Sequence, residues 1–151
     1  IKRLGLLFIL LFSLNCTEKV KTPEQQIKEF INQGIQAIES NNVSAVLPFL
    51  SESYKDQYGR DYEQMKSLTF YVLRKGQVTL FIEKINMAVS DTKAQVSCEL
   101  IGLQGKHEKK SMKDFLPHSA RRWSLNLNLI LEQKKWKLNA MTGDGFHYGF
   151  D

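Results

Sequence analysis

A phenol and a carboxylate two residues apart, Tyr54 and Asp56 in the segment "SESYKDQYG" (51 to 59), are the best candidates in this chain for proton chemistry. In an apolar pocket Asp56 would serve as acid or base and Tyr54 would donate to a developing oxyanion, because burial raises a carboxylate pKa toward neutrality. The same pair also has a structural reading, a local hydrogen bond that shapes a turn while Tyr54, Tyr58 and Tyr62 cover the edge of a core. His107 lies in the hydrated run "KHEKK", His118 follows Pro117, and His147 is near the end. Neither HExxH nor a paired-cysteine spacing occurs, so no metal site is expected. "GKHEKKS" lacks the glycine spacing of a phosphate-binding loop, there is no dinucleotide fingerprint, and no cofactor is expected.

Cys16 poses a different kind of chemistry. It ends "KRLGLLFILLFSLNC" (2 to 16), where Lys2 and Arg3 precede an apolar run from Leu4 to Phe12. That run is too short to cross a hydrocarbon layer, which takes about 20 residues, and it is apolar on every side, unlike a surface helix. It reads as an export signal. The segment resembles a bacterial lipoprotein signal, which implies lipid on Cys16 as the mature N-terminus and an anchored place in the cell envelope. Ordinary cleavage, giving a secreted or periplasmic protein, is the alternative. The expected organisation is a signal peptide at 1–15, a polar tether at 16–22 and a single domain at 23–151, a length that suffices for one core. With Cys16 lipidated, Cys98 has no partner in the chain, and packing rather than a disulfide framework carries stability.

The formal charge of +5 includes Lys2 and Arg3, so the domain itself is only modestly basic. Lys106, Lys109, Lys110, Lys113, Arg121 and Arg122 form a local excess opposed by Glu108 and Asp114. It reads as a solvated loop and strand entry, or as a contact for acidic envelope lipids or an anionic partner. No aromatic residues interleave with these bases as a stacking platform would require, so nucleic acid is not an expected partner.

These residues are held by elements that the spacing predicts. Thr22 caps a helix with Pro23 in its first turn, and Ile27, Phe30, Ile31, Ile35 and Ile38 make one apolar stripe before Asn41 and Asn42 end it. Val43, Val46 and Leu47 share a face ahead of Pro48, where the helix restarts, and Leu50 with Tyr54 is expected to extend a second short turn. Asp61 and Gln64 begin a third helix carrying Tyr62, Met65, Leu68, Val72 and Leu73, with Gly76 as its stop. The period then changes to two. Val78, Leu80 and Ile82 have one parity and Ile85, Met87 and Val89 the other, which places a bulge near Glu83 and Lys84. Ala94, Val96, Cys98 and Leu100 alternate next. Trp123, Leu125, Leu127, Leu129 and Leu131 line one side of the clearest strand, and Trp136, Leu138 and Ala140 face them across a turn at Gln133 and Lys134. The fold expected is α+β, with N-terminal helices packed on a strongly curved antiparallel sheet.

This order, with "SESYKDQYG" and the closing "LNLILEQKKWKL" (127 to 138), resembles the nuclear transport factor 2-like superfamily, whose members fold as a cone of helices wrapped by a curved sheet. "GLQGKHEKKSMKDFLPHSAR" (102 to 121) is read as an irregular insertion where such members have a strand. The resemblance implies a cavity, here expected among Tyr54, Tyr58, Leu127 and Leu129. It does not choose a function, because the superfamily holds isomerases, dehydratases and hydrolases beside noncatalytic domains. The inward strand positions can transfer no proton, so the expected function is noncatalytic: an envelope lipoprotein domain for protein interaction or for a small apolar ligand. The alternative is a small cofactor-free isomerase, dehydratase or hydrolase acting on an apolar substrate through Tyr54 and Asp56. The resemblance also implies pairing through the outer sheet face, and a homodimer is expected across Ser124, Asn126 and Ile130.

Overall fold

In the computed structural model, which describes residues 20–105 and 120–144, Thr22 starts the first helix, α1 (Pro23–Glu39), through a reciprocal cap. The Thr22 hydroxyl accepts from the Gln25 amide, and the Gln25 side chain accepts from the Thr22 amide at 3.0 Å. Two of the donors that a helix start leaves orphaned are thereby satisfied. Ile27, Ile31 and Ile35 are buried along the inner stripe, and Asn41 turns the chain away in a left-handed conformation at φ 55°. A single turn, α2 (Val43–Val46), passes into a 3-10 turn at Leu47–Phe49 that contains Pro48.

The short turn expected from Leu50 to Tyr54 is a single reversal, in which the Tyr54 amide donates to the Ser51 carbonyl at 3.1 Å, and no helix continues from it. Leu50 is extended and pairs in parallel with Leu138, and the amides of Ser51 and Lys55 donate to the carbonyls of Leu138 and Asn139, each at 2.9 Å. A neighbouring strand edge takes up these donors, so the segment has no need of a helix to satisfy them. Asp61 then caps α3 (Tyr62–Arg74) with Gln64 in the same reciprocal way, and Met65 and Leu73 are buried along it. Gly76, at φ 135°, carries the chain into the sheet.

Four antiparallel strands follow in chain order: β1 (Val78–Ser90), β2 (Lys93–Gln104), β3 (Arg121–Glu132) and β4 (Lys135–Asp144). The register shifts between Ile82 and Lys84, at the parity change in the sequence. A second shift lies opposite Asn128 and Leu129, which pair with Ala140 and Leu138. Asn139 is the extra residue, and it corrects the expected inner row: Met141 is buried opposite Leu127, while Ala140 takes the parity of Asn128. A bulge bends its strand and increases the local twist, so the two shifts curve the sheet toward the helices. The β3–β4 turn has Gln133 at φ 48° and Lys134 at φ 64°, the left-handed pair that matches a two-residue hairpin to strand twist.

β2 runs on through Gly102 to Gln104 and β3 begins at Arg121, so both ends of the segment expected to be an irregular insertion, 102–104 and 121, are strand. Glycine at 102 answers to a close approach, since a Cβ there would overlap the Trp123 ring. The inner face of the sheet buries Val96, Cys98, Leu125, Leu127 and Leu129 against α1, whereas Ser97, Glu99, Ser124, Asn126 and Asn128 on the outer face are exposed. Helices on one face of an antiparallel sheet make this an α+β domain.

Candidate functional site

The helices and the inner sheet face leave a cavity of about 750 Å³ between them, within the roughly 300–1,000 Å³ usual for small-molecule sites. Its walls come from α1 (Ile31, Ile35), α3 (Leu68) and the sheet (Leu80, Leu127, Leu138). Among these walls Ile31, Ile35, Leu80 and Leu127 are buried, whereas Tyr58 and Arg121, which also line the space, are exposed and so mark its rim. Arg60 and the half-buried Trp123 belong to the same lining. Among the described residues the lining includes no aspartate, glutamate or histidine.

Asp56 sits behind this wall. Its side chain is 0% exposed and accepts four hydrogen bonds: Oδ1 from the amides of Tyr58 (2.9 Å) and Arg60 (3.0 Å), Oδ2 from the Tyr54 hydroxyl (3.1 Å) and Arg60 Nε (2.6 Å). The turn itself builds this arrangement, because the Gly59 amide donates to the Asp56 carbonyl and the Asp56 amide to the Arg60 carbonyl. Gly59 supplies the positive φ of 76° that the reversal requires. Burial on its own would raise the Asp56 pKa, but the Arg60 amide, the Arg60 guanidinium and the Tyr54 hydroxyl outweigh it and hold the carboxyl below its ordinary value. Such a group is a poor proton acceptor at neutral pH. Burial, followed by the Asp56 charge and hydrogen bond, pushes the Tyr54 phenol well above its usual value, so it stays a donor committed to Asp56. Neither side chain lines the cavity.

The structure therefore brings Tyr54 and Asp56 together, in the arrangement that shapes the turn. Tyr58 and Leu127 line the cavity; Tyr54, 2% exposed, and Leu129 are packed into the core. Arg121 is on the rim and Arg122 pairs with Glu83 at 2.9 Å, so these neighbours on β3 serve different surroundings. Cys16, Lys106, Lys109, Lys110, Lys113, His107, His118 and His147 lie outside the described residues. Cys98 is free and buried, and burial pushes its thiol up to about 11, leaving it inert as a nucleophile at neutral pH. On the outer face Ser124 and Asn126 are exposed, Ile130 is half-buried, and Ser97 donates to Asn126 Oδ1 at 2.7 Å. Sequence reasoning missed Arg60, whose signal was its place in "DQYGR", a base four residues after the acid across a glycine turn.

No family model and no curated protein matches this sequence. Solved structures do resemble it. Bd1075 of Bdellovibrio bacteriovorus superposes with a TM-score of 0.64 at 13% identity over 81% of this chain and 41% of its own, so the chain spans about two fifths of that protein. A nuclear transport factor 2-like superfamily protein from Salmonella enterica serovar Typhimurium gives a TM-score of 0.62 at 13% identity, covering 84% of this chain and 96% of its own. A Novosphingobium aromaticivorans protein, provisionally named a scytalone dehydratase, gives 0.64 at 11% identity, covering 83% and 89%. Identities this low speak to architecture alone. With its three helical segments, its curved four-stranded meander and the cavity between them, the chain has the nuclear transport factor 2-like fold.

Proposed function

We propose that this domain is a noncatalytic module that binds a small apolar ligand, held at a bacterial envelope membrane by lipid on Cys16. The observation that carries the binding half is the cavity of about 750 Å³, whose described walls are mainly aliphatic and aromatic and include no carboxylate or histidine. An empty apolar space of this size forfeits the dispersion contacts that filling it would give, so retaining one in a small domain makes sense when something occupies it. The enzyme alternative would need an acceptor in that space, and Asp56 is sealed away from it with every oxygen engaged.

Gly34 provides the test. It lies in the middle of α1 at the cavity wall, and a Cβ there would meet only Phe49 ring carbons at 3.7 and 3.9 Å, ordinary contact distances. Gly34→Leu therefore extends a side chain into the space and also removes a helix-interior glycine, worth about 0.8–1 kcal/mol on helix propensity alone. The expected result is a higher melting temperature together with at least tenfold weaker binding of the neutral apolar dye N-phenyl-1-naphthylamine, followed by fluorescence. Undiminished dye binding in a stabilised Gly34→Leu would refute the cavity as the binding site.

The anchor rests on the sequence of residues 2 to 16. Expressed in a bacterial host, the wild-type chain is expected in the membrane fraction with a lipid-bearing N-terminal peptide that begins at Cys16, and Cys16→Ser is expected to lose both. Mass spectrometry that finds an unmodified wild-type peptide still carrying residues 1 to 15 would contradict the anchor.

A further inference from the structure

α3 shows two unlike sides. Met65, Leu68, Val72 and Leu73 line the cavity, and the pitch of the helix carries Phe70 and Tyr71 to the other side, where they are 51% and 55% exposed. Beside Val20 ahead of α1 and Tyr58 on the cavity rim, these are the large apolar side chains that the described residues leave exposed. Each ring has a base one turn further on: the Arg74 guanidinium lies over Phe70 at 5.4 Å and the Lys75 ammonium over Tyr71 at 4.7 Å. The bases suit the negative end of the helix, but that explains neither exposed ring. Acids are kept away from this end. Glu63 pairs with Lys66 at 3.4 Å in the first half of the helix, and the sequence holds no further acid before Glu83.

Resting on the lipid anchor proposed above, we infer that this face of α3 lies against the acidic surface of the same membrane. Aromatic rings settle at the headgroup level, where their apolar bodies leave water, and bases beside them meet lipid phosphates. Two half-exposed rings fall far short of the roughly 800 Å² per partner that a stable protein interface buries, whereas a membrane needs no matching shape and the anchor supplies a high local concentration. The reach is sufficient. The 17 residues of α1 make a rod about 25 Å long. Its last residue is tied to the segment that follows α3, since the Leu80 amide donates to the Glu39 carboxylate at 2.8 Å and the Gln77 side chain to the Glu39 carbonyl at 3.1 Å. The end of α3 that carries the rings is therefore about one α1 length from the tether, and the six residues from Thr17 to Thr22 can span up to about 20 Å. The domain can lie along the bilayer with both points engaged. α3 then stands between the bilayer and the cavity that Leu68 and Val72 line.

The full chain, purified with its lipid and reconstituted into vesicles, tests this with the polarity-sensitive dye NBD on one introduced cysteine: Ser67→Cys, exposed one turn before Tyr71, or Gln95→Cys, exposed on the outer sheet face. With lipid on Cys16 and with Cys98 buried, neither competes for the label. Vesicles of phosphatidylcholine with about 30% phosphatidylglycerol are expected to brighten the label at 67 at least twofold over phosphatidylcholine alone and to leave the label at 95 unchanged. The variants Phe70→Gln/Tyr71→Gln and Arg74→Gln, at exposed positions that do not line the cavity, are each expected to remove at least half of that gain while the melting temperature stays at the wild-type value. A chain that floats with the vesicles but shows no gain at 67, an equal gain at 95, or a gain unmoved by both variants would overturn the docking and leave the anchor standing. A gain that follows protein density rather than phosphatidylglycerol would mark contact between copies and overturn it as well. A chain that floats with neither vesicle removes the anchor, and the docking with it.

Discussion

Asp56→Ala is expected to destabilise the domain by about 3 to 5 kcal/mol, the usual cost of removing one member of a buried ion pair. Alanine leaves four donors without their acceptor: the Tyr54 hydroxyl, the amides of Tyr58 and Arg60, and Arg60 Nε. Tyr54 is 2% exposed, so its hydroxyl cannot turn to water without opening the core. Asp56→Asn keeps an acceptor in place but gives up the charge, and is expected to cost less than alanine. Urea midpoints for the three proteins measure both differences. An alanine variant within about 0.5 kcal/mol of wild type, as for a surface substitution, would contradict the role given to Asp56.

The same group sets an acid limit. Its folded pKa lies below the ordinary value of 3.8, so its contribution is fully present above the unfolded pKa and is lost as pH falls through the folded one. Wild-type stability should therefore decline more steeply below about pH 4 than that of Asp56→Asn, which has no proton to take up at this position.

Trp136→Ala is expected to cost about 3 to 5 kcal/mol through lost contacts and the space left behind. Trp136 lies on β4 opposite Leu131, is 6% exposed, and belongs to the core that contains Ile27 and Leu129. Its indole Nε1 is buried with no hydrogen-bond partner among the described residues, which makes phenylalanine an informative comparison. Trp136→Phe keeps an aromatic ring and deletes an unsatisfied donor, so its cost should be less than half that of alanine. Thermal unfolding measures both. A phenylalanine variant as unstable as the alanine one would show that the Nε1 donor is satisfied and contributes to stability.

Where structure depends on neighbouring residues, the sequence was legible. Thr22 with Gln25 and Asp61 with Gln64 mark two helix starts because each cap is made within one turn of chain. The bulge at Glu83 was visible because apolar residues change parity across it. The bulge at Asn139 was not, since Ala140 and Met141 are both apolar and either can continue the inner row. Tyr54 and Asp56 could be picked out by type and spacing, yet their role turned on Arg60, whose guanidinium returns across a glycine turn. Leu50 was misassigned because its partner, Leu138, is remote in sequence. The cavity had no local signature, because it is the space left where helices and a bent sheet fail to meet, and no segment encodes it alone.

The docking of residues 50–55 on β4 bears on the order in which the chain can fold. Each strand of the sheet pairs with its predecessor, so the meander can grow hairpin by hairpin at small entropic cost. The helical layer joins the far edge through contacts of a different range: Ser51 with Glu132 across 81 residues, Ser53 with Asn139 across 86, and Lys137 with the Pro48 carbonyl across 89. These form only after nearly the whole described chain exists. Before the closing hairpin is made, α1 and β1 can cover each other only in part, through contacts such as the Leu80 amide on the Glu39 carboxylate, and the closing hairpin then buries Trp136 and Met141 and completes the described core.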